Sequence, residues 1–413
     1  MAITQLDLAA RIRGAREACR LTQEDVAQYL EVSRPTVAQI EAANRAVSGL
    51  ELDRLAHLFG RDIRDFFVDK FETEDALTAV FRAQPDVLDQ PSVVDGLRNC
   101  TALARELTNL EQLLDIDRGQ VSVAAYAFPP PETRWDAIQQ GNRLAAEERS
   151  RLDLGNGPLP ALAELLEMQG VRSGLVDLPD DVSGLTLNDA RVGHFVVANR
   201  AHHYLRRRFS LAHEYCHLLV DRERIGVVSL SSERDNLLEV RANAFAASFL
   251  MPEDGVRHFV ARLGKGRPSR TYAEVYDGSG TVNVEGRAAP GSQTVQLYDV
   301  VQLAHYFEVS RSSSLYRLRN LRLITEAEFN QLKAADDAGK GKQVADFLGL
   351  PEPDHTDLRN KFHHRFLGLA LEAFRREQIS RGKLLELAQM VGATNDELEQ
   401  ALDNPSQPTG GAT

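Results

Sequence analysis

The sequence predicts a multidomain, mostly α-helical protein with a small α+β core in its middle. A length of 413 residues is enough for about two to four domains of ordinary size. Over most of the chain, apolar residues recur every three or four positions, which is the period of an amphipathic helix. Two short apolar runs bounded by glycine and aspartate, at 171–178 and 194–198, predict strands instead.

The overall composition limits the classes of function. A formal net charge of −12 argues against coating nucleic acid through overall electrostatics, so any DNA contact must come from a local surface. Widely separated cysteines form no disulfide framework and suit a reducing cytosol: Cys19, Cys100 and Cys216. No segment approaches the roughly 20 apolar residues that a membrane helix needs, and no export signal is visible. We therefore expect a cytoplasmic protein with no membrane partner.

Residues 1–70 predict a five-helix bundle that contains a helix-turn-helix. Thr22 is placed to cap a helix over 23–30. Ser33 then caps the next helix, and Pro35 falls in its first turn, where a missing amide proton costs little. Two short helices joined by a tight turn are typical of a DNA-binding module.

These residues also resemble the XRE (lambda-repressor-like) family. The motifs that carry the resemblance are Leu-Thr-Gln-Glu-Asp-Val-Ala-Gln-Tyr-Leu at 21–30 and Val-Ser-Arg-Pro-Thr-Val-Ala-Gln-Ile-Glu at 32–41. The resemblance implies that Gln23 approaches a phosphate from the start of the second helix. It also implies that exposed polar residues of the third helix reach base edges: Arg34, Thr36 and Gln39.

The balance of charge leaves a second interpretation of this bundle open. Residues 1–70 carry ten lysines and arginines against eleven acids, so the segment is not basic overall. Binding to an operator in double-stranded DNA would then depend on the placement of Arg34 and Arg45 and on the avidity of a homodimer. The alternative is a bundle used only for dimerisation or for docking a partner.

Residues 71–132 are assigned to a helical linker. Apolar residues at intervals of three or four form a continuous stripe on a helix near 92–115. Such a stripe is typical of a core helix between domains, and a dimer-forming coiled coil is the alternative that we favour less. The sequence Phe-Pro-Pro-Pro-Glu at 128–132 stops helix formation and marks a boundary.

Residues 133–258 contain the pattern His213-Glu214-x-x-His217 in an apolar segment that predicts a buried helix. Residues four apart lie on one face of a helix, so both imidazoles can bind one metal ion. Glu214, next to the first of them, can act as a general base. Because the pattern fixes only three positions, chance matches occur and a third ligand is required.

The third ligand is predicted on the next helix, over about 236–250. Glu239 and Asn243 are four residues apart there and share one face. A carboxylate that joins two histidines leaves one coordination position open, which is the arrangement of catalytic zinc. Glu233 is a rival ligand, although it lies outside the predicted helix.

This part of the chain resembles the ImmA/IrrE family of zinc metallopeptidases, which are minimal zincins. The resemblance rests on four segments that follow one another in order: 178–185, 194–199, 208–219 and 239–252. It implies Zn²⁺ bound by His213, His217 and Glu239, with Glu214 as base and Asn243 orienting a ligand imidazole. The family resemblance also implies coupling to an XRE module, in the same chain or as a substrate repressor.

Two features near the motif stay open. Cys216 occupies a position where we expect a small residue, and tight packing is favoured over a redox-sensitive thiol near the metal. The run Arg206 to Arg208 precedes the motif. A solvated face is the favoured interpretation of this run, and a docking patch for acidic substrates is the alternative.

The rest of the chain is predicted to support the catalytic domain. Residues 259–294 are polar and glycine-rich, which predicts a flexible insertion that is either a lid or a disordered loop. Helical periodicity resumes over 295–403 and predicts a C-terminal helical domain for structure or substrate docking. Residues 404–413 predict a disordered tail.

The sequence therefore predicts a DNA-binding zinc metalloendopeptidase that regulates transcription. Its expected substrate is a transcriptional repressor or an antitoxin-like protein. The alternative is a transcription regulator whose peptidase-like domain senses a metal or a signal without proteolysis.

Overall fold

The computed structural model has the predicted fold class, mostly helical with a small mixed sheet in its middle. It describes the following residues: 3–72, 76–83, 90–116, 123–189, 192–224, 226–230, 235–266, 270–276, 281–287, 292–351, 356–394 and 396–398. The tail that the sequence predicts at 404–413 lies outside them.

The N-terminal domain consists of four α-helices and a short 3-10 helix: α1 (Gln5–Ala18), α2 (Gln23–Leu30), α3 (Arg34–Glu41), α4 (Gly49–Leu58) and the 3-10 helix Ile63–Phe67. The Thr22 hydroxyl accepts the backbone N–H of Asp25 and so caps α2. Glu31 ends α2 in the left-handed conformation, and Ser33 then begins α3 with Pro35 in its first turn. Apolar side chains from all five elements form a core of their own.

A four-stranded sheet lies in the middle of the fold: β1 (Arg172–Val176), β2 (Val182–Asp189), β3 (Gly193–Asn199) and β4 (Gly226–Leu230). The strand order is β1-β3-β2-β4, with β1 parallel to β3 and β2 antiparallel to both of its neighbours. The apolar runs predicted β1 and β3. The sequence did not predict the other two strands. Polar residues interrupt β2, and the short apolar run of β4 contains Ser229.

Helices on one face of the sheet carry the candidate site: α7 (Arg134–Arg151), α8 (Leu162–Met168), α9 (Tyr204–Val220), α10 (Leu237–Leu250) and α11 (Glu253–Arg262). Val196 and Ala198 of β3 pack into this core together with Leu211 and Ala212 of α9. Three further helices extend the same core: α12 (Leu297–Phe307), α13 (Arg311–Asn320) and α14 (Glu326–Asp337), which α15 (Lys340–Phe347) follows.

The opposite face of the sheet is covered by helices from both ends of the chain: α5 (Ala76–Ala83), α6 (Pro91–Leu113), α16 (Thr356–Arg375) and α17 (Arg381–Met390). Phe195 and Val197 of β3 point into this second core. Cys100, Leu103 and Leu107 belong to the apolar stripe of α6 and are buried there. The stripe is therefore covered by the chain's own sheet and helices, as in a core helix.

Within residues 259–294, which the sequence assigns to a flexible insertion, α11 reaches Arg262 and a β-hairpin follows. Its strands β5 (Arg270–Tyr276) and β6 (Thr281–Arg287) pair antiparallel. Among the described helices, none is long and apolar enough to cross a membrane.

Candidate metal site and DNA-binding surface

The candidate metal ligands come from two neighbouring helices. α9 is buried along most of its length, and His213 and His217 lie on its face toward α10. Asn236 caps α10, because its side chain accepts the backbone N–H of Leu238. Glu239 therefore sits in the first turn of α10, next to both imidazoles.

The three donor groups converge on one point. His213 Nε2 lies 3.0 Å from Glu239 Oε2 and 3.3 Å from His217 Nε2. His217 Nε2 lies 3.4 Å from Glu239 Oε1. All three side chains are buried. Two imidazole nitrogens and one carboxylate are the donor set of catalytic zinc sites.

Hydrogen bonds to the outer imidazole nitrogens select the tautomer that a metal ligand needs. Asp221 Oδ2 lies 2.8 Å from Nδ1 of His217, and a carboxylate only accepts, so this Nδ1 carries a proton. Asn243 Oδ1 lies 3.1 Å from Nδ1 of His213 and can accept in the same way. In the neutral rings the lone pairs are then on Nε2, facing Glu239. The residues present therefore fit a zinc ion.

The charges around this point favour a cation. Burial disfavours charged His217, but hydrogen bonds to Asp221 and Glu239 and their charges outweigh it and raise the pKa of His217 to about 10. Burial alone would raise the pKa of Glu239. When the rings are protonated, however, their Nε2–H groups donate to Glu239, and these hydrogen bonds hold the pKa of Glu239 well below its ordinary value. Arg241 of α10 is buried and pairs with Asp221 Oδ1 at 2.5 Å. A positive charge between the two imidazoles and Glu239, from a proton or a metal ion, therefore stabilises this group of three side chains.

Glu214 lies on the side of α9 that faces the sheet. Its Oε2 accepts a hydrogen bond from Thr186 Oγ1 of β2 at 2.7 Å. Its Oε1 is buried and makes no hydrogen bond within the described part of the chain. Burial raises the pKa of this carboxyl, which makes the carboxylate a stronger base. Gly184 of β2 leaves room for it, since a Cβ there would lie 2.5 Å from Glu214 Oε1.

A cavity of about 200 Å³ opens onto the candidate ligands. Its lining includes side chains from α9, α10 and β4: Arg206, Phe209, His213, Ser229, Leu230 and Glu239. The rival ligand Glu233 lies outside the described residues.

Cys216 is fully buried in the apolar core that α9 shares with α10. Burial raises the pKa of its thiol well above the ordinary value. A thiol in such surroundings stays protonated and reacts slowly. Its burial and its raised pKa favour the interpretation of Cys216 as a packing residue.

The residues predicted to contact DNA lie on and next to α3. Arg34 and Gln39 are exposed, and Thr36 is half-buried. Gln23 donates from Nε2 to Glu41 Oε2 at 2.8 Å, which ties the start of α2 to the end of α3. Another ion pair holds Arg45 against Glu51 at 2.8 Å. The exposed face of α3 thus presents Arg34 and Gln39, whereas Gln23 and Arg45 are held by acidic partners.

Sequence reasoning missed the residues that support the site. Asp221 lies four positions after His217, at the end of α9, and this spacing is the one signal that could have identified it. Thr186 lies on a strand that was not predicted. Arg241 contacts Asp221 only because α9 and α10 pack together.

Fold and site together define a helix-turn-helix protein with a metallopeptidase-like domain. Comparison with protein families agrees. Residues 175–276 match the family described as IrrE N-terminal-like domain, a peptidase family, and residues 12–66 match the family described as Helix-turn-helix. These two segments confirm the predicted resemblance to ImmA/IrrE proteins with an N-terminal XRE module, and they support DNA binding. A search of curated proteins finds none that matches the chain.

Proposed function

We propose that the protein is a DNA-binding zinc metalloendopeptidase that cleaves a repressor or antitoxin-like protein and thereby regulates transcription. The observation that carries this proposal is the convergence of His213, His217 and Glu239, with Glu214 one residue from the first imidazole. A bound zinc ion would act as a Lewis acid on water and on the scissile carbonyl.

Glu214 would move the proton in this reaction. Thr186 holds Oε2, so Oε1 remains to accept a proton from the attacking water and to pass it to the leaving amine. The raised pKa of the Glu214 carboxyl favours the uptake of this proton. β4 is an edge strand of the sheet, and two of its residues, Ser229 and Leu230, line the cavity. A peptide that pairs with this edge in extended form would pass the ligands.

The helix-turn-helix would place the peptidase at a promoter that it regulates. Because Arg34 and Gln39 are exposed on α3, they are the side chains that would reach base edges. Homodimer formation on an operator would add the avidity that a segment without excess positive charge needs.

The substitution Glu214→Gln tests the mechanism. It removes the base but leaves both imidazoles and Glu239, so zinc content should stay at the wild-type level while cleavage of a co-encoded repressor is lost. Measurement requires metal analysis together with electrophoresis of the repressor. Glu147→Gln, on the exposed side of α7, is the matched control and should cleave normally. Wild-type cleavage by Glu214→Gln would show that the mechanism is wrong.

One observation favours the sensor alternative. The Glu214 side chain is fully buried, so the base is covered from solvent in this conformation. Footprinting of promoter DNA with and without a chelator, alongside the cleavage assay, separates the two functions. A footprint that changes on zinc removal, with no cleavage of any neighbouring gene product, would support the sensor and contradict the peptidase.

A further inference from the structure

Three consecutive arginines, Arg206 to Arg208, precede the His-Glu-x-x-His motif on α9, and their side chains lie in different surroundings. Arg207 and Arg208 are buried. Arg208 donates to the carbonyl of Leu159 at 3.1 Å and pairs with Glu308 at 3.2 Å, so it connects α9 to neighbouring segments. Arg206 is exposed and lines the cavity that contains His213. From the sequence, the run is interpreted either as a solvated face or as a docking patch for acidic substrates. Neither interpretation describes all three arginines.

Arg206 shares a helix face with the candidate ligands. It precedes His213 by seven residues, which is about two helical turns and on the order of 10 Å along the axis. An extended peptide rises by about 3.3 Å per residue, so this distance corresponds to roughly three substrate residues. A side chain close to the scissile bond is therefore within reach of the guanidinium.

Among the residues described by the structure, no carboxylate lies within ion-pair distance of the Arg206 guanidinium, in contrast to Arg208 and to the exposed arginines of α7 such as Arg143. A guanidinium at the entrance of a small cavity presents a planar set of donors that matches a carboxylate.

We infer that Arg206 selects protein substrates that carry an aspartate or glutamate within about three residues of the scissile bond. This inference rests on the proposed peptidase function and adds a substrate class to it. Arg206 contacts the substrate and takes no part in proton transfer.

The first experiment compares cleavage profiles of the full-length, zinc-loaded protein. A library of peptides from a digested proteome is incubated with each variant, and mass spectrometry identifies the cut bonds. The wild type should show acidic residues enriched about 5- to 10-fold at one position near the cut. Arg206→Glu should lose this enrichment and select lysine or arginine at the same position, whereas Arg206→Lys should keep part of it. Arg143→Glu is the matched control and should give the wild-type profile.

A second experiment measures binding without turnover. Zinc-loaded Glu214→Gln is titrated with a labelled peptide that the wild type cuts, in versions with glutamate or glutamine at the selected position. The glutamate peptide should bind about 5- to 10-fold tighter, and the double variant with Arg206→Glu should abolish the difference.

The outcomes separate this inference from the proposed function. Cleavage with no acidic preference, or a preference that Arg206→Glu leaves intact, overturns the role of Arg206 alone. Failure of the zinc-loaded wild type to cut any peptide or neighbouring gene product overturns the peptidase function, and the substrate class with it.

Discussion

Replacing Gly184 with alanine tests whether Glu214 works from the position that the structure shows. Gly184 lies on β2, opposite Ala198 of β3 and below α9. A Cβ added there would meet Glu214 Oε1 at 2.5 Å, the Val197 carbonyl oxygen at 2.7 Å and Glu214 Cγ at 2.9 Å. Real Cβ atoms essentially never approach another heavy atom closer than 3.0 Å. The carboxylate or the strand must therefore move.

These contacts set the size of the expected effect. The Glu214 carboxylate must shift by about 0.5 Å to restore 3.0 Å and by about 0.9 Å to reach an ordinary contact of 3.4 Å. A displacement on the order of 1 Å at a reacting group costs up to about 100-fold in rate. We expect kcat to fall about 10- to 100-fold, or about 1.4–2.7 kcal/mol in activation free energy. The free energy of unfolding should fall by about 1–3 kcal/mol through overpacking.

The assay is turnover of a peptide that the wild type cuts, with zinc content and denaturant unfolding measured on the same preparations. Zinc content should not change, since the nearest atoms to the new Cβ belong to Glu214 and Val197 rather than to the ligands.

Gly174→Ala is the matched control on β1, where a Cβ would meet Phe195 Cζ at 3.3 Å. It should keep the wild-type kcat. A folded, zinc-loaded Gly184→Ala protein with unchanged kcat would refute the assignment of Glu214 as the base in this position.

Two further predictions concern the surroundings of the ligands. Asp221→Asn should lower zinc affinity about 10- to 100-fold in a chelator competition, because the amide no longer holds the proton on Nδ1 of His217 with a full negative charge. Asp337→Asn, on the exposed side of α14, should bind zinc normally, and equal affinity for both variants would contradict the role of Asp221. Cys216 should react with a maleimide more than about tenfold slower in the native protein than after unfolding, as read by mass spectrometry, because it is fully buried with a raised pKa. Fast native labelling that releases zinc would instead support the redox interpretation.

Much of the candidate site was predictable because its residues follow a local period. His213, Glu214 and His217 occupy successive positions of one helix, and Glu239 stands in a second strongly helical segment. The supporting contacts depend on tertiary packing. Thr186 donates a hydrogen bond to Glu214 from β2, where polar residues interrupt the alternation that predicts a strand. The sequence pattern therefore does not predict that Thr186 lies next to Glu214.

The long amphipathic helix α6 shows the same dependence on tertiary packing. The sequence predicts the apolar stripe of this helix, but it does not predict which surface packs against the stripe. In the structure the partner is the sheet together with α16, more than two hundred positions later in the chain. Contacts at such sequence separation leave no periodic signal, and for this reason the layer of helices that covers this face of the sheet was not predicted.

The separate core of the helix-turn-helix leads to a last prediction, that DNA binding and proteolysis can be impaired independently. None of the buried apolar residues of the N-terminal core belongs to the two cores around the sheet. A cavity of about 900 Å³ lies between α4, α6 and α17, and across it Asn109 donates to Asp62 at 3.4 Å.

Arg34→Ala, on the exposed face of α3, should therefore weaken binding to the protein's operator by about 1–3 kcal/mol. Binding to a scrambled duplex at the same salt concentration should change less. Peptide turnover should stay at the wild-type rate, because Arg34 is exposed on a domain whose core is separate from the core that holds the candidate ligands. Arg13→Ala, on the exposed side of α1, is the control for the loss of one positive charge. Equal losses on both duplexes would show that Arg34 contacts the phosphate backbone, and a loss of turnover would show that the two domains are coupled.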